Sequence, residues 1–433
     1  MSNTPEHTSE LIQRIRSTSN TPCIADVDLW LNQLASVDRV SLDPYVVSII
    51  DGLILRCQAV RLGLLGDEAQ ALKVVQQARA VFSDTESLSD VARAILLEGN
   101  FHLALGHFQP ALDCYNEALS LFTSLNDENG RARVIGNMGT VHNFIGEYNE
   151  ALRCYEEASA YHEQTGDMEG LARTTGGMGL VAANTSDYPT ALLHLTRALD
   201  IHRSRNARRE EARTLSSLGN VYRVIADFPK ALELLQCAQS IIEEIGEKTG
   251  LARVLMNIAG IYGDMKDNER ELAATQRALA INEQTNDVAT HPRLVGNIAS
   301  VYMNLQQFGV ALEQIDKAIE ESASLGLVSL EYSQRVVRSS ILFRLGRIDE
   351  AEEEATWCYN KALHHHALPE VTQALVNLGD VWRFRGDPQR SAHFYEQALS
   401  DAVTSGQRSL ATTILSTLAE LMEDSDPRAA LDY

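Results

Sequence analysis

No stretch of this chain approaches the roughly 18 consecutive apolar residues that a membrane-spanning helix needs, and the opening MSNTPEHTSELIQRIRSTSN has no apolar signal core. Membrane insertion is therefore not expected, and a cytoplasmic location is. Basic residues are in short supply: 37 Lys and Arg stand against 59 Asp and Glu, a formal net charge of −22. Binding to a phosphate backbone needs basic surface, so nucleic acid is not an expected partner. Cysteine is sparse as well, six residues with no CxxC pair. Cys114 and Cys154 share a column on successive helices, where a spacing of roughly 8–10 Å lies beyond disulfide reach. Reduced, buried thiols are expected rather than bridges or a zinc site.

Catalytic signatures are missing too. No Walker, HExxH or GxSxG motif occurs. Gly176-Gly177-Met178-Gly179 reads as helix rather than as a phosphate loop, and His364-His365-His366 cannot point one way on a helix. His102 and His142 fall in an aromatic core column and read as buried, satisfied histidines. No nucleophile–base–orienter set emerges. No enzyme, cofactor or metal site is expected.

What the chain does have is a period of forty residues. Stepping by forty from Gly139 meets Ala59, Gly99, Gly179, Gly219, Ala259, Ala299, Ser339, Gly379 and Ala419. The same step from Ala158 meets Ala78, Ala118, Ala198, Ala238, Ala278, Ala318, Cys358 and Ala398. A fixed period of this size means stacked helical hairpins, each burying its apolar face against its neighbours. Ile135, Met138 and His142 make one face of a first helix, and Ala151, Leu152, Tyr155 and Ala158 one face of a second. Pro110, Pro189, Pro229 and Pro388 sit where second helices begin, where a missing N–H is harmless. Asn126, Gly166, Asn206, Gly246, Asn286, Gly326 and Gly406, with His366 as the exception, sit where those helices end in a left-handed residue.

Residues 1–45 read as an N-terminal helical cap, with one helix over 24–36 and another starting at Pro44. Residues 46–407 read as nine units of forty residues, and 408–433 as a capping helix or the start of an unfinished tenth unit. Two units depart from the pattern. Glu271 replaces the usual alanine and predicts a looser sixth hairpin. Arg335 and Arg338 occupy apolar or small columns; either the helix is rotated with a local bend, the favoured reading, or they pair with nearby acids such as Glu331 or Glu350.

Small residues at 139, 151 and 158, with Tyr222, Tyr262, Tyr302 and Trp382 in an aromatic column, match the tetratricopeptide repeat pattern. The longer period, and the phrases GDMEGLAR (166–173) and GNVY (219–222), resemble the Partner of Inscuteable/LGN-type subclass; kinesin light chain and bacterial Rap-type regulators use related arrays. The resemblance implies an all-α fold, a right-handed superhelical α-solenoid, with one stripe of each first helix lining a concave groove. It also implies a partner, because such arrays hold extended, acidic peptides along that face.

That stripe carries arginines at forty-residue intervals: Arg93, Arg133, Arg173, Arg213, Arg253 and Arg293. Beside them stand Asn137, Asn257, Asn297 and Asn377, then Asn100, Thr140, Asn220 and Ser300. Guanidinium groups grip carboxylates with paired hydrogen bonds, and amides offer both donor and acceptor to a peptide bond. An extended acidic segment is the expected ligand. The competing account has the arginines bonded within the array; only Glu169–Arg173 supplies an acid four residues upstream. Ser333 and Gln373 end the row, and Arg344, Phe384 and Asp380 follow on the stripe. Trp357, in a column otherwise mostly polar, is with Phe384 and Arg344 a candidate second contact, or else a packing residue. Alternatives are a sensory or regulatory arm of a larger signalling protein with an effector domain after residue 433, or an array that self-assembles through Trp357 and the C-terminal repeats.

Overall fold

The computed structural model describes residues 5–17, 24–40, 42–285, 287–364, 368–404 and 407–425, and their regular structure is entirely α-helical. They fall into two compact units, Met1–Ile225 and Ala226–Tyr433. The first unit opens with α1 (Pro5–Ser17) and α2 (Ile24–Ala35). Four hairpins follow: α3 (Pro44–Leu64) with α4 (Glu68–Asp84), α5 (Leu88–Ala104) with α6 (Phe108–Ser124), α7 (Glu128–Phe144) with α8 (Tyr148–Thr165), and α9 (Met168–Asn184) with α10 (Tyr188–Ser204). Helix α11 (Arg208–Val224) ends this unit.

The second unit begins with α12 (Phe228–Ile245). Its hairpins are α13 (Lys248–Asp264) with α14 (Asn268–Thr285), α15 (His291–Asn304) with α16 (Phe308–Ser324), α17 (Val328–Arg344) with α18 (Ile348–His364), and α19 (Leu368–Phe384) with α20 (Pro388–Thr404); α21 (Arg408–Ser425) follows. Starts keep a forty-residue register among the even-numbered helices from α4 and, apart from α15, whose start is delayed to His291, among the odd-numbered helices from α5.

Local chemistry explains this regularity. Asp67, Asp187 and Asp227 accept hydrogen bonds from the backbone N–H of Gln70, Thr190 and Lys230 at 3.1–3.2 Å, capping α4, α10 and α12. The prolines at 110, 189, 229 and 388 all lie in the first turn of their helices. Asn126, Gly166, Asn206, Gly246 and Gly326 have φ between 52° and 76°; Asn286, His366 and Gly406 lie outside the described residues, as do His365 and the stub after Ser425. A second left-handed column lies two residues before the start of each even-numbered helix from α4 to α20: Gly66, Gly106, Gly146, Ser186, Ala226, Lys266, Gln306, Gly346 and Gly386. Four of these nine are not glycine, so composition hides it.

The small columns have a steric cause. A Cβ on Gly99 would come within 2.6 Å of the ring of Tyr115, a residue with no exposed surface. Where serine replaces the small residue, its hydroxyl crosses the hairpin: Ser339 donates to the Ala351 carbonyl at 2.8 Å and Ser391 to that of Gly379 at 2.9 Å. The hairpin with Glu271 is not opened by it. The carboxylate lies over Gly263, where a Cβ would meet Glu271 Oε1 at 2.9 Å, so the missing side chain makes room.

Helix α17 buries Tyr332, Gln334, Val336, Ser339 and Ile341, at positions that α7 also buries, so it is not rotated as expected for the eighth unit. Arg335 instead pairs with Glu331 at 2.8 Å and Glu354 at 3.0 Å, and Arg338 with Asp316 at 2.7 Å and Glu354 at 2.8 Å. Glu350 binds Arg347. His102 and His142 are half-buried rather than buried, and His142 Nδ1 lies 2.6 Å from Glu147 Oε2.

Candidate functional site

Regular helix starts put Arg93, Arg133 and Arg173 at the sixth residue of α5, α7 and α9, helices that pack in sequence within the first unit. All three side chains are half-buried. Arg93 donates to Ser89 Oγ at 2.8 Å and lies 3.9 Å from Asp127. Arg133 makes no hydrogen bond or ion pair among the described residues. Burial pulls its pKa down to about 10, and the like charges of Arg173, Arg93 and Arg56 act in the same direction. Arg173 is also lowered by burial, and its Nε and Nη2 are closed to solvent without a hydrogen-bond partner.

The in-helix partner expected for Arg173 is engaged elsewhere. Glu169 accepts from Arg205 Nη2 at 2.9 Å, although its field still reaches Arg173. Arg56 was not visible in the arginine column, because Leu53 holds that position and Arg56 stands three residues further along α3. It donates to the Ile15 carbonyl at 3.3 Å, and burial lowers its pKa.

The amides divide into inward and outward groups. Asn100 Oδ1 accepts from Tyr115 at 2.9 Å and from Asn137 Nδ2 at 2.8 Å, and Tyr155 donates to Thr140 at 3.1 Å. This polar floor runs beneath the arginines: the fields of the Tyr115 and Tyr155 hydroxyls reach Arg173. Asn377 is buried, donating to the Val336 carbonyl at 3.0 Å and accepting from Ser340 at 3.2 Å. Asn220 and Asn257 are half-buried, Asn297 exposed.

Arg213 is exposed in the first unit, Arg253 and Arg293 in the second. The last two share a pocket of about 220 Å³ with Thr249, Asp287 and Thr290. Trp357 is half-buried rather than exposed: it meets Tyr332 edge-on at 5.7 Å, and the Arg335 guanidinium sits 4.3 Å from its ring centroid. Phe384 is 66% exposed with its ring edge-on to Phe343, and Arg344 is exposed.

One donor set escaped the sequence reading. Glu98, His102 and Cys114 place ligand atoms within 4.8 Å of one another. Glu98, however, already accepts from Gln76 and Arg79 at 3.0 Å each. Burial pushes the Cys114 thiol up to about 11, and Glu98 adds to this. Arg79 accounts for the buried carboxylate without a metal.

The architecture defines an all-helical repeat solenoid. Among the described residues no helix is long and apolar enough to cross a membrane. The tetratricopeptide repeat family model matches residues 130–204 and 210–284. No curated protein matches. Among solved structures, a Rap protein complexed with competence and sporulation factor is similar, at TM-score 0.60 and 17% identity over 86% of this chain and 99% of that one. The Rap conjugation gene regulator of plasmid pLS20 with the Phr* peptide has TM-score 0.54 and 12% identity, covering 75% and 91%. A Signal Transduction ATPase with Numerous Domains bearing a tetratricopeptide repeat sensor, from Pyrococcus horikoshii, has TM-score 0.55 and 13% identity, covering 98% and 67%. These likenesses establish the fold.

Proposed function

We propose that the chain is a protein-interaction scaffold that holds an extended, acidic peptide segment against the arginine-bearing face of its first helices. Arg133 carries this reading. In a chain of net charge −22 it is half-buried beside other arginines, with no acceptor among the described residues. A ligand carboxylate would give it the paired hydrogen bonds that the fold withholds. Arg93 and Arg173 would extend the grip within the first unit, and Arg213, Arg253 and Arg293 offer exposed guanidinium groups of the same register. Asn220, Asn257 and Asn297, and Asn137 with the groups left beside its bond to Asn100, would bond the peptide backbone, whereas Asn377 would serve the fold. The similar pLS20 regulator is complexed with the Phr* peptide and the similar Rap protein with competence and sporulation factor, and these complexes support a peptide ligand.

Capture from the source lysate tests this. Wild type is compared with the triple variant Arg133→Glu, Arg213→Glu, Arg253→Glu, with bound proteins identified by mass spectrometry. Partners lost only from the variant support the reading; identical partners would make the arginines architectural. A second reading, a regulatory arm of a larger signalling protein, is favoured by the sensor-bearing ATPase, a third of which has no counterpart here. A reading frame continuing past Tyr433 into an effector domain would support it.

A further inference from the structure

The arginine row is not uniform, and its first-unit portion has a charge surplus that can be counted. Arg56, Arg93, Arg133 and Arg173 lie on successive first helices, α3, α5, α7 and α9. Four carboxylates are prominent among the groups that act on them: Asp90, Asp127, Asp167 and Glu169. Asp90 is held by Arg16 and Ser87, and Glu169 by Arg205, so both answer to an arginine outside the cluster. Asp127 caps α7 through the Gly130 N–H, and Asp167 caps α9 beside His162. Two carboxylates thus face four guanidinium groups, an excess of two positive charges among these groups. Beneath them lie hydroxyl and amide groups: Tyr115, Tyr155, Asn100, Asn137 and Thr140. Buried Arg173 Nε and Nη2 have no acceptor.

We infer that Arg133 and Arg173, flanked by Arg56 and Arg93, form a binding site for a phosphoryl monoester dianion. This rests on the proposed ligand-binding role of the arginine row and names what its first-unit part takes. A single carboxylate would cancel one charge and leave the other. A phosphoryl group carries close to two negative charges near neutral pH, which matches that surplus, and its three acceptor oxygens can take hydrogen bonds from more than one guanidinium. Guanidinium forks suit its geometry.

The test is isothermal titration of the intact chain with inorganic phosphate, slightly above neutral pH and at constant ionic strength, with acetate and succinate as controls. O-phosphoserine in a further arm distinguishes an esterified phosphoryl group from the free ion. The expected result is saturable binding of phosphate and O-phosphoserine to one site, with acetate and succinate clearly weaker. Arg133→Gln and Arg173→Gln should each weaken it roughly tenfold or more. Arg153→Gln, on the outer face of α8, should leave it unchanged. Folding is checked by helicity and melting; without phosphate, Arg133→Gln should melt no lower than wild type, because it removes a charge from a self-repelling group. No saturable binding, equal binding of succinate, or unchanged affinity in both arginine variants would overturn the inference. Loss of phosphate binding together with lysate partners still lost from the triple glutamate variant would leave the peptide reading standing. Phosphate binding with an unchanged partner set would do the reverse.

Discussion

Glu169 and Arg173 stand one helical turn apart on α9 but are not hydrogen-bonded: the Glu169 carboxylate accepts from Arg205 at 2.9 Å, and Arg173 keeps two buried nitrogen atoms without an acceptor. Arg205, the C-cap of α10, thereby draws Glu169 away from Arg173. Replacing it should close the cluster. In Arg205→Gln, Glu169 is free to turn to Arg173, and phosphate affinity should fall roughly two- to fivefold, the range of a partly exposed ion pair. Titration of this variant beside wild type checks it; unchanged affinity would mean that Glu169 cannot reach.

Close packing of Tyr115 against Gly99 predicts a stability effect that needs no ligand to be seen. Gly99→Ala would place a Cβ 2.6 Å from the ring, and overpacking of this kind costs about 1–3 kcal/mol. Chemical denaturation should show a lower midpoint with unchanged helicity in the folded state. An unchanged midpoint would show that the Tyr115 ring moves freely.

The eighth unit offers a test of what its arginines do. Glu354 joins Arg335 and Arg338, so Glu354→Gln should destabilise by about 1–3 kcal/mol through the charges left half-buried. Equivalent positions elsewhere are mostly apolar (Leu218 and Ile258 for Arg338, Leu234 and Phe394 for Glu354). The double variant Arg338→Leu, Glu354→Leu should therefore recover much of that loss, as replacement of a buried ion pair by apolar residues often does. Denaturant midpoints of the three proteins settle the comparison.

Acid should weaken the first unit through His162 and His202. Both are buried, and burial holds each below the ordinary histidine value of 6.5, Asp167 opposing this at His162. Above that value both rings are neutral in folded and unfolded chains alike. As pH falls below it, the unfolded chain takes up protons that the folded one resists, and stability drops. His162→Phe should flatten this part of the melting-versus-pH curve. Phenylalanine suits the site, since Phe82 and Phe122 hold the same column and Gly170 lies under His162 as Gly130 lies under Phe122.

The fold was legible because its signals are local. Period, small columns, first-turn prolines and the Asn/Gly column each follow from backbone or steric limits that one residue type satisfies. The left-handed residues between helices were not, because Ser186, Ala226, Lys266 and Gln306 accept a strain that glycine would avoid. The arginine column was readable, but its electrostatics were not. That Arg173 is unpaired depends on Arg205 drawing off Glu169, and that Arg56 joins the cluster depends on a helix face outside the column. Arg335 and Arg338 were half legible: the alternative partner Glu331 does pair with Arg335, but Glu354 and Asp316 come from neighbouring helices.

Binding of a fluorescein-labelled, glutamate-rich extended peptide, followed by anisotropy, tests the central claim most directly. Intact chain should bind it saturably, more weakly as salt rises and more tightly than a glutamine-substituted counterpart. The triple variant Arg133→Glu, Arg213→Glu, Arg253→Glu should lose that binding with its helicity intact. Equal binding by wild type and variant, or equal binding of the acidic and neutral peptides, would contradict the account.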